Sequence, residues 1–278
     1  MQRTTLFLAL ILSASACAST AAPQIADQAV AQPASNSAAL QAAIDAPSRD
    51  AANRARDGYR HPLQTLQFFG VQPNQTVIEI TPGGGWYTEI LAPYLNADGS
   101  YIGAVGMAAA DSAGAQRNTA FRDKLAGNAA TASATLVEFD GKAPVFADGS
   151  ADVVLTFRNV HNWVGGGNAD AYFRGFFAAL KPGGMLGVVE HRAKPGTELE
   201  VMKSSGYLTE ALVTKYATDA GFVLEASSEA NANPKDGANH PNGVWTLPPV
   251  NRHDAADKAK YKAIGESDRM TLRFRKPG

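Results

Sequence analysis

The sequence predicts an α/β protein built on one mostly parallel sheet with helices on both faces, and three features predict it. Short apolar runs rich in β-branched residues alternate along the chain with stretches of helical period or helix-forming composition. Those runs are apolar at nearly every position, as strands covered on both faces are. A glycine turn, Gly83-Gly84-Gly85, stands between the first run and the helix that follows it.

Folded sequence is expected from about Leu40. A helix carrying Arg54, Arg56, Asp57 and Arg60 comes first, and a second follows Pro62 with Leu63, Leu66, Phe68 and Phe69. Strands are then expected at residues 76–80, 101–105, 135–139, 152–157 and 185–190. Helices at 87–95, 116–126 and 169–180 separate most of them. This is the spacing of βαβ units. The tail changes rhythm, with a helix at 208–220, a strand at 222–227 and a last strand at 270–274. Between those strands, residues 231–267 are rich in Asn, Pro and Gly and contain Trp245; so long a connection reads as a lid or binding loop.

Composition narrows the function. In 278 residues, 25 basic side chains stand against 26 acidic ones, for a net charge of −1, so no field of one sign is available for nucleic acid or anionic lipid. A single cysteine, Cys17, excludes a disulfide framework and every cysteine-based zinc pattern. The start, Met1-Gln2-Arg3 followed by the apolar run Leu6 to Leu12 and Ser13-Ala14-Ser15-Ala16-Cys17, reads as a signal peptide over residues 1–17, too short to span a bilayer. Cys17 at the expected cut resembles a bacterial lipoprotein box, although Ala14 stands where Leu is usual, and cleavage after Ala16 or Ala18 is the alternative. The expected location is therefore the cell envelope, periplasmic or lipid-anchored, with membrane contact only through a lipid on Cys17. Residues 18–39, rich in Ala, Gln, Ser and Pro, read as a disordered linker before one domain over 40–278.

The sharpest local signal is the run Val77-Ile78-Glu79-Ile80-Thr81-Pro82-Gly83-Gly84-Gly85-Trp86, a buried strand entering a glycine turn. Glycines at such a junction let a ligand approach the backbone at the carboxyl end of the sheet, though a turn of this kind also serves as a plain tight connection. Thr88 replaces the third glycine of G-x-G-x-x-G, and no phosphate-binding G-x-x-x-x-G-K-[ST] occurs, so neither a dinucleotide nor a nucleoside triphosphate is favoured.

Glu79-x-Thr81-x-Gly83-x-Gly85 resembles motif I of the class I S-adenosylmethionine-dependent methyltransferases. Leu180-Lys181-Pro182-Gly183-Gly184 resembles the turn before the fifth strand in that superfamily. Within it, VIEITPGGGWYTEILAPYL, FRNVHNW and AIGESDRMTLRFRKP look like a group of exported bacterial methyltransferases of unassigned substrate. The resemblance implies a Rossmann-like, seven-stranded sheet with an antiparallel last strand, and S-adenosylmethionine as cofactor. It assigns Gly83 and Gly85 to the methionine and ribose portion, Glu79 to the base of that loop, Asp140 to the adenine and Asn159 to the methionine end. Two positions depart from the pattern. Thr81-Pro82 replaces the first glycine of the motif and its neighbour, and the second strand ends Val105-Gly106-Met107-Ala108 without the carboxylate that holds ribose, Asp111 being the first acid.

Methyl transfer asks the protein for in-line positioning, exclusion of water and, for a protonated nucleophile, a base. His161 after the fourth strand and His191 after the fifth are the candidate catalytic bases, both at strand ends that face one crevice. Either histidine could instead hold a loop. Arg158, Asn162, Trp163 and Arg192 share those loops, and His240 and Trp245 lie in the expected lid; together they are the candidate contacts for a small, anionic substrate. A metal gathered by His161, His191 and His240 is the lesser alternative, and no metal is expected. Metalloprotease histidine spacing and G-x-S-x-G are both absent. The sequence thus points to an S-adenosylmethionine-dependent methyltransferase acting on a small molecule. A non-catalytic, methyltransferase-like binding module of the cell envelope is the alternative.

Overall fold

A computed structural model describes residues 34–278. The signal peptide, Cys17 and residues 18–33 lie outside the described residues.

Helix α1 (Ala34–Asp45) starts six positions before Leu40, inside the stretch read as linker, and buries Leu40 and Ile44. The expected helix around Arg54 to Arg60 forms as two single turns, α2 (Ala51–Arg54) and α3 (Asp57–Arg60). Asp50 caps the first by accepting the Ala52 N–H at 2.8 Å. Pro62 opens α4 (Pro62–Phe68), where a missing N–H costs nothing.

The central elements follow the expected alternation. They are β1 (Thr76–Ile80), α5 (Thr88–Leu95), β2 (Ser100–Gly106), α6 (Ala113–Ala126), β3 (Thr135–Phe139) and β4 (Ala151–Phe157). After these come α7 (Val160–Gly165), α8 (Ala169–Ala179), β5 (Leu180–His191), α9 (Leu199–Ser205), α10 (Glu210–Asp219), β6 (Val223–Ser228), α11 (Lys258–Ile264) and β7 (Arg269–Arg275). The seven strands form one sheet in the order β3-β2-β1-β4-β5-β7-β6. Neighbours are parallel except β7, which runs antiparallel to both β5 and β6. The expected mostly parallel sheet with an antiparallel last strand is therefore present.

Each face of the sheet carries its own apolar layer, one around Phe173, Phe176, Tyr207, Leu208 and Phe274 and the other around Phe68, Phe69, Ile90, Leu91 and Leu155. Chain order reverses between β1 and β4. There the connections leave to opposite sides and open a crevice at the carboxyl ends of the strands. The glycine turn after β1 and Arg158-Asn159 after β4 both stand at this point.

Residues 231–267 are built and tied down. Besides α11 they contain 3-10 turns at Gly243–Thr246 and Ala255–Asp257, and they bury Val244, Leu247 and Tyr261. Asn231 donates to the Thr65 and Thr271 hydroxyls, both at 2.9 Å. Asp236 accepts from the Tyr207 hydroxyl at 2.9 Å and from the Asp268 N–H at 2.8 Å. Through these contacts the segment covers the strand ends.

Candidate functional site

Two adjoining cavities occupy the crevice, with Arg158 in the wall of both. The first, of about 200 Å³, lies against the glycine turn and is lined by Glu79, Thr81, Gly83, Gly84, Trp86 and Asn159, with Arg56 and Arg60 opposite. Gly83 takes a left-handed φ of 61°, and a side chain at Gly83 or Gly84 would meet nothing within 4 Å, so the backbone there is bare. Over Gly85 the Phe121 ring closes the space, 2.7 Å from where a Cβ would stand. Trp86 forms a wall and leaves the niche open. Its indole N–H donates to the Asn53 carbonyl at 2.8 Å, and Arg49 and Arg60 lie 5.2 and 4.7 Å from its ring.

The turn is held from beneath. The buried Glu79 carboxylate accepts from the Tyr101 hydroxyl at 2.6 Å and from Thr88 at 3.1 Å. Burial pushes its pKa up to about 7, against the pull of those two hydrogen bonds. Asn159 stands at the N-cap of α7 yet makes no cap hydrogen bond. It donates instead to the Ile80 carbonyl at 3.0 Å, tying the end of β1 to the end of β4.

The second cavity, of about 180 Å³, is lined by His161, His191, Trp245, Ser267 and the Pro248–Pro249 pair as well as Arg158. Arg158 has a left-handed φ of 62°, which turns the chain sharply from β4 into α7 and puts His161 in the first turn of that helix. The His161 and His191 rings are 5.2 Å apart, and Trp245 stands edge-on 6.1 Å from His161. Between the histidines lies Glu190, fully buried at the end of β5. One of its oxygens is 3.0 Å from His161 Nδ1 and accepts the His191 N–H at 2.7 Å, while the other accepts the His161 N–H at 3.2 Å. His191 Nδ1 is 2.6 Å from the Ser267 hydroxyl. Burial, reinforced by His161, Arg158 and Arg269, holds His191 well below the ordinary imidazole range, so it stays neutral at physiological pH.

His161, Glu190 and His191 bring three ligand-type atoms within 4.8 Å of one another. Both Glu190 oxygens are already spent on N–H donors, and three arginines lie close enough to His191 to depress its basicity. Such surroundings suit proton handling better than a cation. His240 stands apart, 2.8 Å from Asp236 Oδ1, and does not join the other two histidines.

Other expected contacts fall away from the crevice. Trp163 is core, stacked on Tyr172 at 4.1 Å, because α7 turns its apolar face toward α8. Arg192 is saturated by Asp268, Glu210 and Glu229 at 2.7–3.1 Å and has no free N–H pair to offer a substrate. Asn162 points to solvent from the opposite side of α7. Asp140 is exposed and accepts the Lys142 N–H at 2.9 Å in its own turn, outside both cavities. The residues that do converge are Glu79, Gly83 and Asn159 in the first cavity, His161, His191 and Trp245 in the second, and Arg158 in both.

Solved structures share this fold. A SAM-dependent methyltransferase from Aquifex aeolicus superposes with a TM-score of 0.54 over 86% of this chain and 98% of its own, at 13% identity. A candidate methyltransferase from Bacillus halodurans C-125 matches at 0.52 over 77% and 98%, at 16% identity. The [4+2]-cyclase SpnF matches at 0.53 over 91% and 99%, also at 16% identity. The chain has the class I methyltransferase fold. At these identities the likeness establishes the fold, and SpnF is a cyclase, so chemistry has to be read from the site. No family model matches the chain, and no curated protein matches it.

In this methyltransferase fold the sequence pointed to the glycine turn and the two histidines. It did not single out Glu190, Arg56, Arg60, Glu266 or Ser267. A carboxylate inside the apolar strand Gly187-Val188-Val189-Glu190 was the available signal for Glu190, since a buried parallel strand admits a charge only with partners.

Proposed function

We propose that the protein is an S-adenosylmethionine-dependent methyltransferase acting on a small molecule. The observation that carries this reading is the bare backbone of Gly83 and Gly84 facing a cavity at the β1/β4 switch point, with an imidazole-lined chamber directly beyond Arg158. The residues present fit the methionine end of the cofactor: Gly83 and Gly84 would lie against it, while Glu79 and Asn159 hold the turn in place. The ribose end has no carboxylate on β2, where Gly106 and the exposed Met107 stand instead.

When bound, the cofactor supplies an electrophilic methyl group carried on a sulfonium. The chain's own residues do the rest. Nδ1–H donated to Glu190 would leave Nε2 of His161 as the acceptor for the proton lost by the substrate nucleophile, and the neutral His191 beside it adds no charge against that transfer. Trp245, Pro248 and Pro249 cover the chamber and limit the access of water.

Calorimetric titration with S-adenosylmethionine and S-adenosylhomocysteine tests the reading, with micromolar affinity expected. Gly84→Leu projects into open space at ordinary φ, so it should leave thermal unfolding unchanged while weakening binding more than about tenfold, about 1.4 kcal/mol. Absence of heat at millimolar ligand, or wild-type binding by Gly84→Leu, sinks the proposal.

A further inference from the structure

The first cavity holds more positive charge than its protein partners neutralise. Arg56 and Arg60 face it from the N-terminal helices, Arg158 from the end of β4, and Arg269 sits behind them at the start of β7. Glu266 is the one carboxylate paired with this group among the described residues. It accepts from Arg56 Nε at 2.7 Å and lies 3.4 Å from both Arg60 and Arg269. Arg269 spends its remaining N–H groups on the carbonyls of Ser267 and Tyr59.

The other three keep N–H groups that find no acceptor among the described residues. Arg60 is 3% exposed, and its Nε and one terminal nitrogen are buried without a hydrogen-bond partner. A terminal nitrogen of Arg56 is likewise buried and unpartnered. The Arg158 guanidinium makes no hydrogen bond or ion pair among the described residues, although it lines both cavities. Burial and mutual repulsion lower Arg60 to about 9 and Arg158 to about 10, which still leaves both cationic at neutral pH. A buried guanidinium such as that of Arg60 is unfavourable without a counter-anion, and three guanidinium groups lining one cavity suit an oxyanion.

We propose that Arg56, Arg60 and Arg158 form a binding site for a doubly charged oxyanion, a phosphomonoester group of the small molecule on which the enzyme acts. This rests on the methyltransferase reading for the word substrate, while the anion site itself stands on the arginines alone. A monoanion is the weaker candidate: Glu266 is shared among Arg56, Arg60 and Arg269, Glu79 in the same wall is held largely protonated below about pH 7, and Glu190 is turned to the two histidines, so Arg158 and the spare N–H groups of Arg56 and Arg60 are left to a multiply charged group. The cofactor's own carboxylate is weaker still, since it arrives with an ammonium and a sulfonium. Arg158, shared between the cavities, would seat the anion with Arg56 and Arg60 opposite the glycine turn, leaving Gly83 and Gly84 to the cofactor, with the rest of the molecule reaching toward His161.

Calorimetry on the full chain with inorganic phosphate, and with acetate at matched ionic strength, tests the proposal without any cofactor. Phosphate should bind at least tenfold more tightly than acetate, and Arg158→Gln should weaken phosphate at least tenfold. Because Arg60 is buried and its loss could unfold the region, the half-buried Arg56→Gln, confirmed folded by circular dichroism, serves as the second variant and should weaken phosphate similarly. Equal binding of acetate and phosphate, or wild-type phosphate affinity in both variants, overturns the site. Displacement of phosphate by S-adenosylhomocysteine also overturns it, by returning the arginines to the cofactor. Phosphate binding without cofactor binding would keep the site and remove the methyltransferase reading; cofactor binding without phosphate binding would do the reverse.

Discussion

Replacing Glu79 with glutamine should flatten the dependence of stability on pH. Glu79 is buried under the glycine turn, and its carboxyl group moves from an ordinary value of 4.5 to about 7 on folding. The folded chain therefore holds a proton that the unfolded chain has released between those two values. The contribution of this group to stability is fully present below pH 4.5 and is lost as pH rises toward 7, at about 1.4 kcal/mol for each pH unit. Across the whole interval the loss comes to about 3 kcal/mol, a large share of what a domain has in reserve. Glutamine cannot ionise, so the difference between wild type and Glu79→Gln isolates this one group from every other titration. Urea unfolding at half-unit steps from pH 4.5 to 8.5 measures it. The variant is expected to gain on the wild type progressively through this window, by about 3 kcal/mol at the upper end. Tyr101→Phe, which removes the 2.6 Å hydrogen bond favouring the charged form, should extend the fall to higher pH without moving its start. Parallel curves for Glu79→Gln and wild type would show that the carboxylate is hydrated in the folded protein and that the turn is not held as described.

Gly243→Ala should destabilise far more than Gly149→Ala although both glycines have positive φ. A Cβ at Gly243 would collide with the Ser205 carbonyl, whereas Gly149 has nothing within 4 Å. About 1–2 kcal/mol of left-handed strain applies to both, and displacement of backbone should bring Gly243→Ala to about 3 kcal/mol or more; equal thermal unfolding of the two variants would refute the packing of the cover on α9. Asp236→Asn replaces one of two oxygens that together accept from Tyr207, Ala238, His240 and Asp268. A loss of about 1–3 kcal/mol is expected, and hydrogen exchange should quicken first in residues 231–267 while β1 and β4 keep their protection.

Strand positions were legible because a parallel strand covered on both faces leaves a local record. Val77-Ile78-Glu79-Ile80 and Val153-Val154-Leu155-Thr156 are apolar runs bounded by turn residues, and six of the seven observed strands both start and end within two residues of the expected bounds. β5 alone extends further, because the Lys181 to Gly184 turn is drawn into pairing with the chain end, where Lys276 donates to the Gly184 carbonyl. Helix α7 was missed. Its six residues carry two valines and a tryptophan and are stabilised by the Glu190 carboxylate on their first turn, a partner from another strand. Segment 231–267 was read as a lid because Asn, Pro and Gly dominate it, and its order comes from side chains such as Asn231 and Asp236 reaching distant elements.

By itself the sequence determined the alternation of strands and helices, the glycine turn at the switch point and the presence of histidines at two strand ends, since each is written in neighbouring residues. Tertiary structure alone decided that Glu190 orients His161, that Trp163 packs inward while Trp245 faces the chamber, and that arginines from positions 56, 60 and 158 meet at one cavity, two of them sharing Glu266. Charge compensation depends on distance in space, and residues a hundred positions apart carry no local mark of the partner they will find.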